Sequence, residues 1–465
     1  MARQRTDGEV HPGYQWGPFT MRIPLIHIRF SIPDALQGLA VAGATGLALV
    51  PYFMTLLGLT FEEAVVMAMI HNILISLGWM AFGDPYAPGW LTPAIPFVVA
   101  FITSPMYLGD HAAQFQAMTA LSINFALILM ILGITGLGAK LIKVIPNVLK
   151  GGIILGAAIA AFLRVTKDGD AANVFQSAPI AGTIGVMVCL VFAFSKPLQT
   201  MAASKPVLAK ILGFGLLPGF ALAGIIGYFT DEFNYNIRWE FLDIGSAAAG
   251  LWSKASPFVI GWPSLDTFLA TFPLALITYI LFFGDVVTGN EMIEQAQKQR
   301  QDEKLDINSS RAHMATGIRN VLMSITAPFF ATQGVLWTGI QVILLKRWTE
   351  GKDKLHSIYD SIGSFYQFGL PVLFVFLPLV TLLQPLLPVA LAVTLILTAF
   401  ACATLALSLV DDATERGAMV ITAMAFSLFE PWLGLLVGVM TVIALCGVEV
   451  FKPQPEEELQ ESASE

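Results

Sequence analysis

Apolar stretches as long as a bilayer is thick follow one another through this chain, and no other feature limits its fold as severely. A spanning helix needs about 20 apolar residues, because the hydrocarbon core is roughly 30 Å thick. Scanning the 465 residues at that length yields fourteen candidate segments. Only 12% of the residues are charged and 56% are hydrophobic. A soluble domain carries about a quarter charged residues, so this chain cannot cover itself with polar surface and takes the bilayer as its solvent. The sequence therefore predicts an all-α polytopic membrane protein. Its net charge of −8 gathers in tails and loops such as Glu456-Glu457-Glu458, and no basic run points to nucleic acid. Residues 1–30 lack the short apolar stretch and small-residue cleavage site of a removable leader. Cys189, Cys402 and Cys446 stand singly in apolar segments and read as small core residues.

Loop charge orients the segments. With the N-terminus in the cytoplasm, odd-numbered helices run outward. The inside loops then hold Lys140, Lys143 and Lys150, Lys196, Lys205 and Lys210, Lys298, Arg300, Lys304 and Arg311, and Lys346, Arg347, Lys352 and Lys354. Only Arg164, Lys167, Arg238 and Lys254 fall outside, the bias that positive-inside insertion requires. This predicts a multi-pass protein of the cell membrane with both termini cytoplasmic. Residues 1–30 form a tail and 31–229 a first seven-helix repeat. Residues 230–262 are an extracytoplasmic linker, 263–450 a second repeat and 451–465 an acidic tail. The charged segment 290–311 reads as a connector or, alternatively, a regulatory element.

The repeat is visible in the residues. Ile145-Pro146-Asn147-Val148-Leu149 opens the fifth segment and Leu387-Pro388-Val389-Ala390-Leu391 the twelfth, each with proline where a helix begins and its missing N–H costs nothing. Two segments are conspicuously short, helix 3 at 93–104 and helix 10 at 338–348. They open with Trp90-Leu91-Thr92-Pro93 and Trp337-Thr338-Gly339, and Thr92 and Thr338 suit N-caps. Seven helices per repeat invert the second copy. Two inverted half-helices would then bring their N-termini together at the bilayer midplane, the site geometry of secondary transporters. Each N-terminus offers unpaired N–H groups and about half a positive charge, which favours an anion. Trp90 and Trp337 either pack in the core or wall the pocket. Gln341 and Gln333 flank helix 10 and could hydrogen-bond a solute. Gly38, Gly43 and Gly46 let backbone or solute approach helix 1.

Asp285, in Gly284-Asp285-Val286-Val287-Thr288-Gly289, is the sharpest single residue. A carboxylate at mid-membrane costs about 2.5–3.5 kcal/mol on insertion scales and is normally retained for function. Thr288 and Gly289 share its helix face. Desolvation favours the protonated acid, so Asp285 could carry a coupling proton, or Na⁺ beside an opposing site. The alternative places it at the cytoplasmic edge of a long helix 8. Arg319 reads as a side chain snorkelling to the interface or, less simply, as a solute contact. His71 and Asn72 read as interhelical hydrogen-bonding groups or a relay. No zinc helix, nucleophile elbow or phosphate loop occurs, so neither an enzyme nor an ATP-driven pump is expected, and no bound cofactor beyond a coupling H⁺ or Na⁺.

The arrangement resembles the superfamily of uracil/xanthine permeases, SulP anion permeases and bicarbonate or borate transporters. Asp34-Ala35-Leu36-Gln37-Gly38-Leu39-Ala40-Val41-Ala42 looks like the SulP opening of helix 1. Val144-Ile145-Pro146-Asn147-Val148-Leu149-Lys150-Gly151-Gly152, with Pro146, Val148 and Gly151, looks like the start of helix 5 in SulP and nucleobase permeases, and Asp285 falls where the permeases commonly carry a helix 8 carboxylate. The resemblance implies a strand before each short helix. It also implies a core of helices 1–4 and 8–11 sliding against a gate of helices 5–7 and 12–14 by an elevator motion, in a homodimer joined through gate helices. After Lys452 only an acidic tail follows, where SulP permeases carry a cytoplasmic domain. Trp337-Thr338-Gly339-Ile340-Gln341 has neither the carboxylate of nucleobase permeases nor the arginine of many SulP proteins. The expected function is secondary transport of a small anionic solute by proton- or Na⁺-coupled symport. A nucleobase-type permease and an uncoupled anion or bicarbonate exchanger are the alternatives, and a channel is less expected.

Overall fold

The computed structural model describes residues 5–47, 50–91, 94–169, 173–212, 214–329, 332–368, 374–429 and 431–451. The protein is a mostly helical polytopic membrane protein. The principal helices are α1 (Ile32–Gln37), α2 (Phe61–Met80), α3 (Ile95–Ile102), α4 (His111–Ile134), α5 (Asn147–Thr166), α6 (Pro179–Phe194) and α7 (Leu217–Phe229). There follow α8 (Leu265–Gln299), α9 (Ser309–Thr326), α10 (Thr338–Thr349), α11 (Ile358–Gly363), α12 (Leu387–Leu407), α13 (Ala413–Leu428) and α14 (Pro431–Cys446). Their starts follow local chemistry. Thr60 and Glu63 form a reciprocal capping box on α2, and Asp110, Ser264, Asn308 and Asp412 accept from first-turn N–H groups of α4, α8, α9 and α13. Pro146 is the N-cap of α5 and Pro388 lies in the first turn of α12.

The spans are less regular than fourteen uniform segments. Among the described residues, five helices are long and apolar enough to cross a membrane by themselves: α2, α4, α5, α8 and Leu377–Leu407, which includes α12. A sixth candidate is α6 with Lys196–Ala202, bent by 62°. Helix 1 is broken: α1 passes into a π-turn at Gly38–Ala42, a short turn at Gly43–Gly46 and a further helix at Val50–Leu57. Close backbone approach accounts for the glycine there, because a Cβ on Gly38 would overlap the Phe365 carbonyl. Hydropathy registers total apolar length and not such interruptions, so the sequence scan joined these pieces.

Two packing groups emerge. In the first, α4 lies along α8 and α9, α2 contacts α9 and α11, and α10 packs on α8. In the second, α5 packs between α12 and α13, α13 pairs with α14, and α6 lies against α7 and α12. Helix α10 crosses between the groups to touch α12.

The N-terminal residues and the 300–306 segment are more ordered than a tail and a connector. Strand β1 (Glu9–Val10) pairs in parallel with Glu303–Lys304, and β2 (Tyr14–Trp16) forms a hairpin with β3 (Phe19–Met21). The hairpin is tied to the end of α2 by Arg22 N–H donating to Met80 O at 2.7 Å. Glu303 is the hub. It is fully buried and accepts from Ser357 Oγ at 2.6 Å, Trp348 Nε1 at 2.7 Å and Ile358 N at 3.2 Å, with Arg5 Nη1 at 3.3 Å. Burial pushes its carboxyl up despite Arg5. No sequence periodicity marks such a knot, because its members come from four separate stretches.

Candidate functional site: two half-helices at a strand crossing

Two extended stretches cross in front of the short helices. Residues 87–91 run antiparallel to 332–337 through Leu91 N to Thr332 O (3.0 Å), Gly334 N to Gly89 O (2.8 Å) and Trp337 N to Ala87 O (2.6 Å), with Trp90 bridged to Gln333. One stretch leads into α3 and the other into α10. At 1.5 Å per residue their 8 and 12 residues measure about 12 and 18 Å, well short of a bilayer. Non-helical backbone at such depth is tolerable only inside protein, and here each stretch serves as the other's hydrogen-bonding partner.

The crossing is anchored from behind by α9. Asn320 Nδ2 donates to Gln333 O and its Oδ1 accepts from Gln333 N, both at 3.0 Å, so the side chain mimics a third strand. Arg319, next to it, donates from Nη2 to Gly334 O at 2.8 Å. Arg319 therefore does not reach the interface: it is 1% exposed and lies in the interior. His71 is also interior, its ring 4.4 Å from Phe329 and its Nδ1 3.4 Å from Gln333 Nε2.

The singled-out residues fall into distinct positions. Thr92 and Pro93 lie outside the described residues. Trp90 is half-buried, its ring 5.4 Å from Phe329 and its Nε1 without a partner among the described residues. Trp337, not Thr338, is the N-cap of α10, and no side chain caps that end. The extended backbone needed for the Trp337–Ala87 bond puts the cap one residue earlier, so Thr338 is already helical. Gln341 is fully buried and its amide is committed to the other stretch: Oε1 accepts from Ala87 N and Nε2 donates to Pro85 O at 3.4 Å. Gly339 is buried against α12, where an added Cβ would stand 2.6 Å from Thr394 O. Gly43 is buried at the break in helix 1. Asp285 lies in the middle of the 35-residue α8, half-buried, and no hydrogen bond or ion pair reaches it from the described residues. Thr288 is buried one turn on, and Gly289 packs on the Tyr86 ring, whose hydroxyl donates to Asn290 Oδ1 at 2.5 Å. Asp285 thus sits about one turn from the helix face that touches the crossing. Among the described residues no group of three His, Cys, Asp or Glu is placed to hold a metal ion.

A cavity of about 570 Å³ opens between the two packing groups, beside the C-terminal half of α10. Val342, Lys346 and Arg347 of α10 line it from the first group, Phe194 and Leu397 from the second, and Gln37 at the end of α1 joins them. Val342 and Leu397 lie one turn beyond Gly339 and Thr394, so the α10–α12 contact closes the inner end. Lys346, Arg347 and Lys354 line the cavity together with Glu350. Lys346 Nζ donates to Ala193 O and lies 5.5 Å from the Phe194 ring, while Arg347 pairs with the buried Asp34 at 2.6 Å. The sequence counted these cations only as loop charge; their place on a cavity wall needed the fold.

No protein-family model and no curated protein matches the chain. Solved structures similar to it include SLC26A9, at 14% identity and a TM-score of 0.48 over 89% of this chain. Another is the transmembrane domain of a cyanobacterium bicarbonate transporter, BicA, at 15% identity and TM-score 0.42, covering 88% of this chain and 97% of that one. A third is the murine Slc26a9 anion transporter in its inward-facing state, at 14% identity and TM-score 0.45, covering 91% of this chain and 69% of that one. The chain spans 65% of the length of the SLC26A9 structure.

Proposed function

We propose that the protein is a secondary transporter of small anions. The observation that carries this reading is the antiparallel crossing of 87–91 with 332–337, each stretch running into a half-membrane helix. That arrangement supports a central site at which backbone N–H groups and two helix dipoles meet the solute. Cations on the cavity wall favour an anion on its way in or out. In this reading the first packing group is the moving core and the second the gate, built from inverted seven-helix repeats. The cavity is the cytoplasmic vestibule of an inward-open state, and the gate helices join two copies in the cell membrane. Asp285 carries the coupling proton or Na⁺.

Proteoliposomes under imposed proton or Na⁺ gradients test it. Chloride or bicarbonate uptake that follows either gradient supports symport, and uptake that follows only a counter-anion makes the protein an exchanger. Uptake of uracil but of no anion would overturn the anion assignment in favour of a nucleobase-type permease, which the half-buried Trp90 and Trp337 would suit as a wall for a planar solute.

A further inference from the structure

Arg319 is a buried cation with no direct ion-pair partner among the described residues. Its side chain is 1% exposed, Nη2 donates to Thr316 Oγ1 at 2.9 Å and to Gly334 O at 2.8 Å, and Nε and Nη1 have no partner among the described residues. Among the described residues no carboxylate pairs with it. Asp84, the acid whose field reaches it, is held instead by Arg311 at 2.9 Å, and Arg311 also binds Asp306. Gly78 and Pro88 pack around the same place: an added Cβ on Gly78 would lie 3.8 Å from Arg319 Cζ and 3.7 Å from Pro88 Cβ. A lone charge so buried is expensive unless something of opposite sign compensates it.

The compensation has an obvious place to come from. Arg319 grips the stretch at Gly334, three residues before the N-cap of α10. At about 3.3 Å per extended residue, its charge stands on the order of 10 Å behind that N-terminus. We propose that Arg319 sets the charge selectivity of the central site: a fixed guanidinium behind the crossing, with no direct ion-pair partner among the described residues, favours a monovalent inorganic anion over a neutral solute without touching either. The inference rests on the transport reading above and deepens it. The medium between is protein, so the interaction is weakly screened, and an anion at that distance gains on the order of tenfold in affinity. Arg319 is in this sense a positioning and field-setting residue. Its hydrogen bond fixes the stretch and its charge acts through it.

The test is chloride and bicarbonate uptake by the full chain in proteoliposomes, with three variants. Arg319→Gln keeps a donor but loses the charge, and should raise the anion KM on the order of tenfold with little change in maximal rate. Arg319→Lys keeps the charge and should stay within about threefold of the parent KM. Thr316→Asp places a carboxylate where the hydroxyl now meets Nη2; it neutralises Arg319 in position and should raise KM like Arg319→Gln, giving a readout even if that variant folds poorly. A merely structural role would lower maximal rate and melting temperature in all three alike. An unchanged anion KM in Thr316→Asp or Arg319→Gln overturns the proposal and leaves the transport reading standing. Absence of anion uptake by the parent protein, with uracil carried instead, overturns both.

Discussion

Replacing Gly339 by alanine should push the two helix groups apart at the inner end of the cavity. The added methyl would stand 2.6 Å from Thr394 O and 3.1 Å from Thr398 Oγ1. The closer obstacle is a backbone oxygen of α12, which no side-chain rotation can move. Overpacking of this kind costs about 1–3 kcal/mol, and the penalty falls only on conformations in which α10 and α12 touch. A bias of that size shifts a two-state population roughly five- to 150-fold. Gly339→Ala should therefore deplete the observed state, slow transport and expose residues beside the contact. Val342→Cys, one turn along α10 on the cavity wall, is a suitable reporter in a Cys446→Ser background, since Cys189 and Cys402 are buried. Its labelling rate by a membrane-impermeant thiol reagent should change at least fivefold on adding Gly339→Ala. Trimming Thr398 to alanine should restore little, because the main clash is with backbone. Unchanged labelling and transport, at normal expression and melting temperature, would refute the argument that this glycine meters the approach of the two groups.

Three further outcomes are expected. Asp285→Asn keeps shape but removes titration, so gradient-driven uptake should vanish while anion counterflow partly survives; full gradient dependence in the variant would place Asp285 outside the coupling step. Glu303→Ala leaves Arg5, Trp348 Nε1, Ser357 Oγ and Ile358 N facing a void, and should cost about 3–5 kcal/mol, measured as a lower unfolding midpoint in detergent. His11 lies outside the spans, and burial pulls its imidazole down to about 4. A released segment would bind a proton already near pH 6.5, so anchoring is complete above that value and weakens as pH falls toward 4, by about 2 kcal/mol at pH 5. Proteolysis of residues 5–30 should accelerate between pH 7 and pH 5 in the parent protein and not in His11→Gln.

Much of this architecture is legible in the sequence because bilayer burial and helix capping are local. Apolar length marks α2, α4, α5 and α8, Pro146 and Pro388 mark matched helix starts, and α10 occupies Thr338–Thr349 where a half-length helix was expected at 338–348. The extended stretches before α3 and α10 are implied by the family resemblance alone and not by the residues themselves. What only the tertiary structure decided depends on partners far along the chain. Gln341 looked available to a solute, yet its amide bonds the backbone at 85–87. Thr338 looked like a cap, yet the crossing moves the cap to Trp337. Arg319 resembled an interfacial arginine because its helix carries Arg311 and His313 nearby, and only the return of Gly334 to its side chain makes it an interior charge. A one-dimensional pattern records how much apolar surface a segment has to bury. It does not record which polar groups will meet once it is buried, because those pairings form between residues hundreds of positions apart and depend on where the backbone departs from a helix.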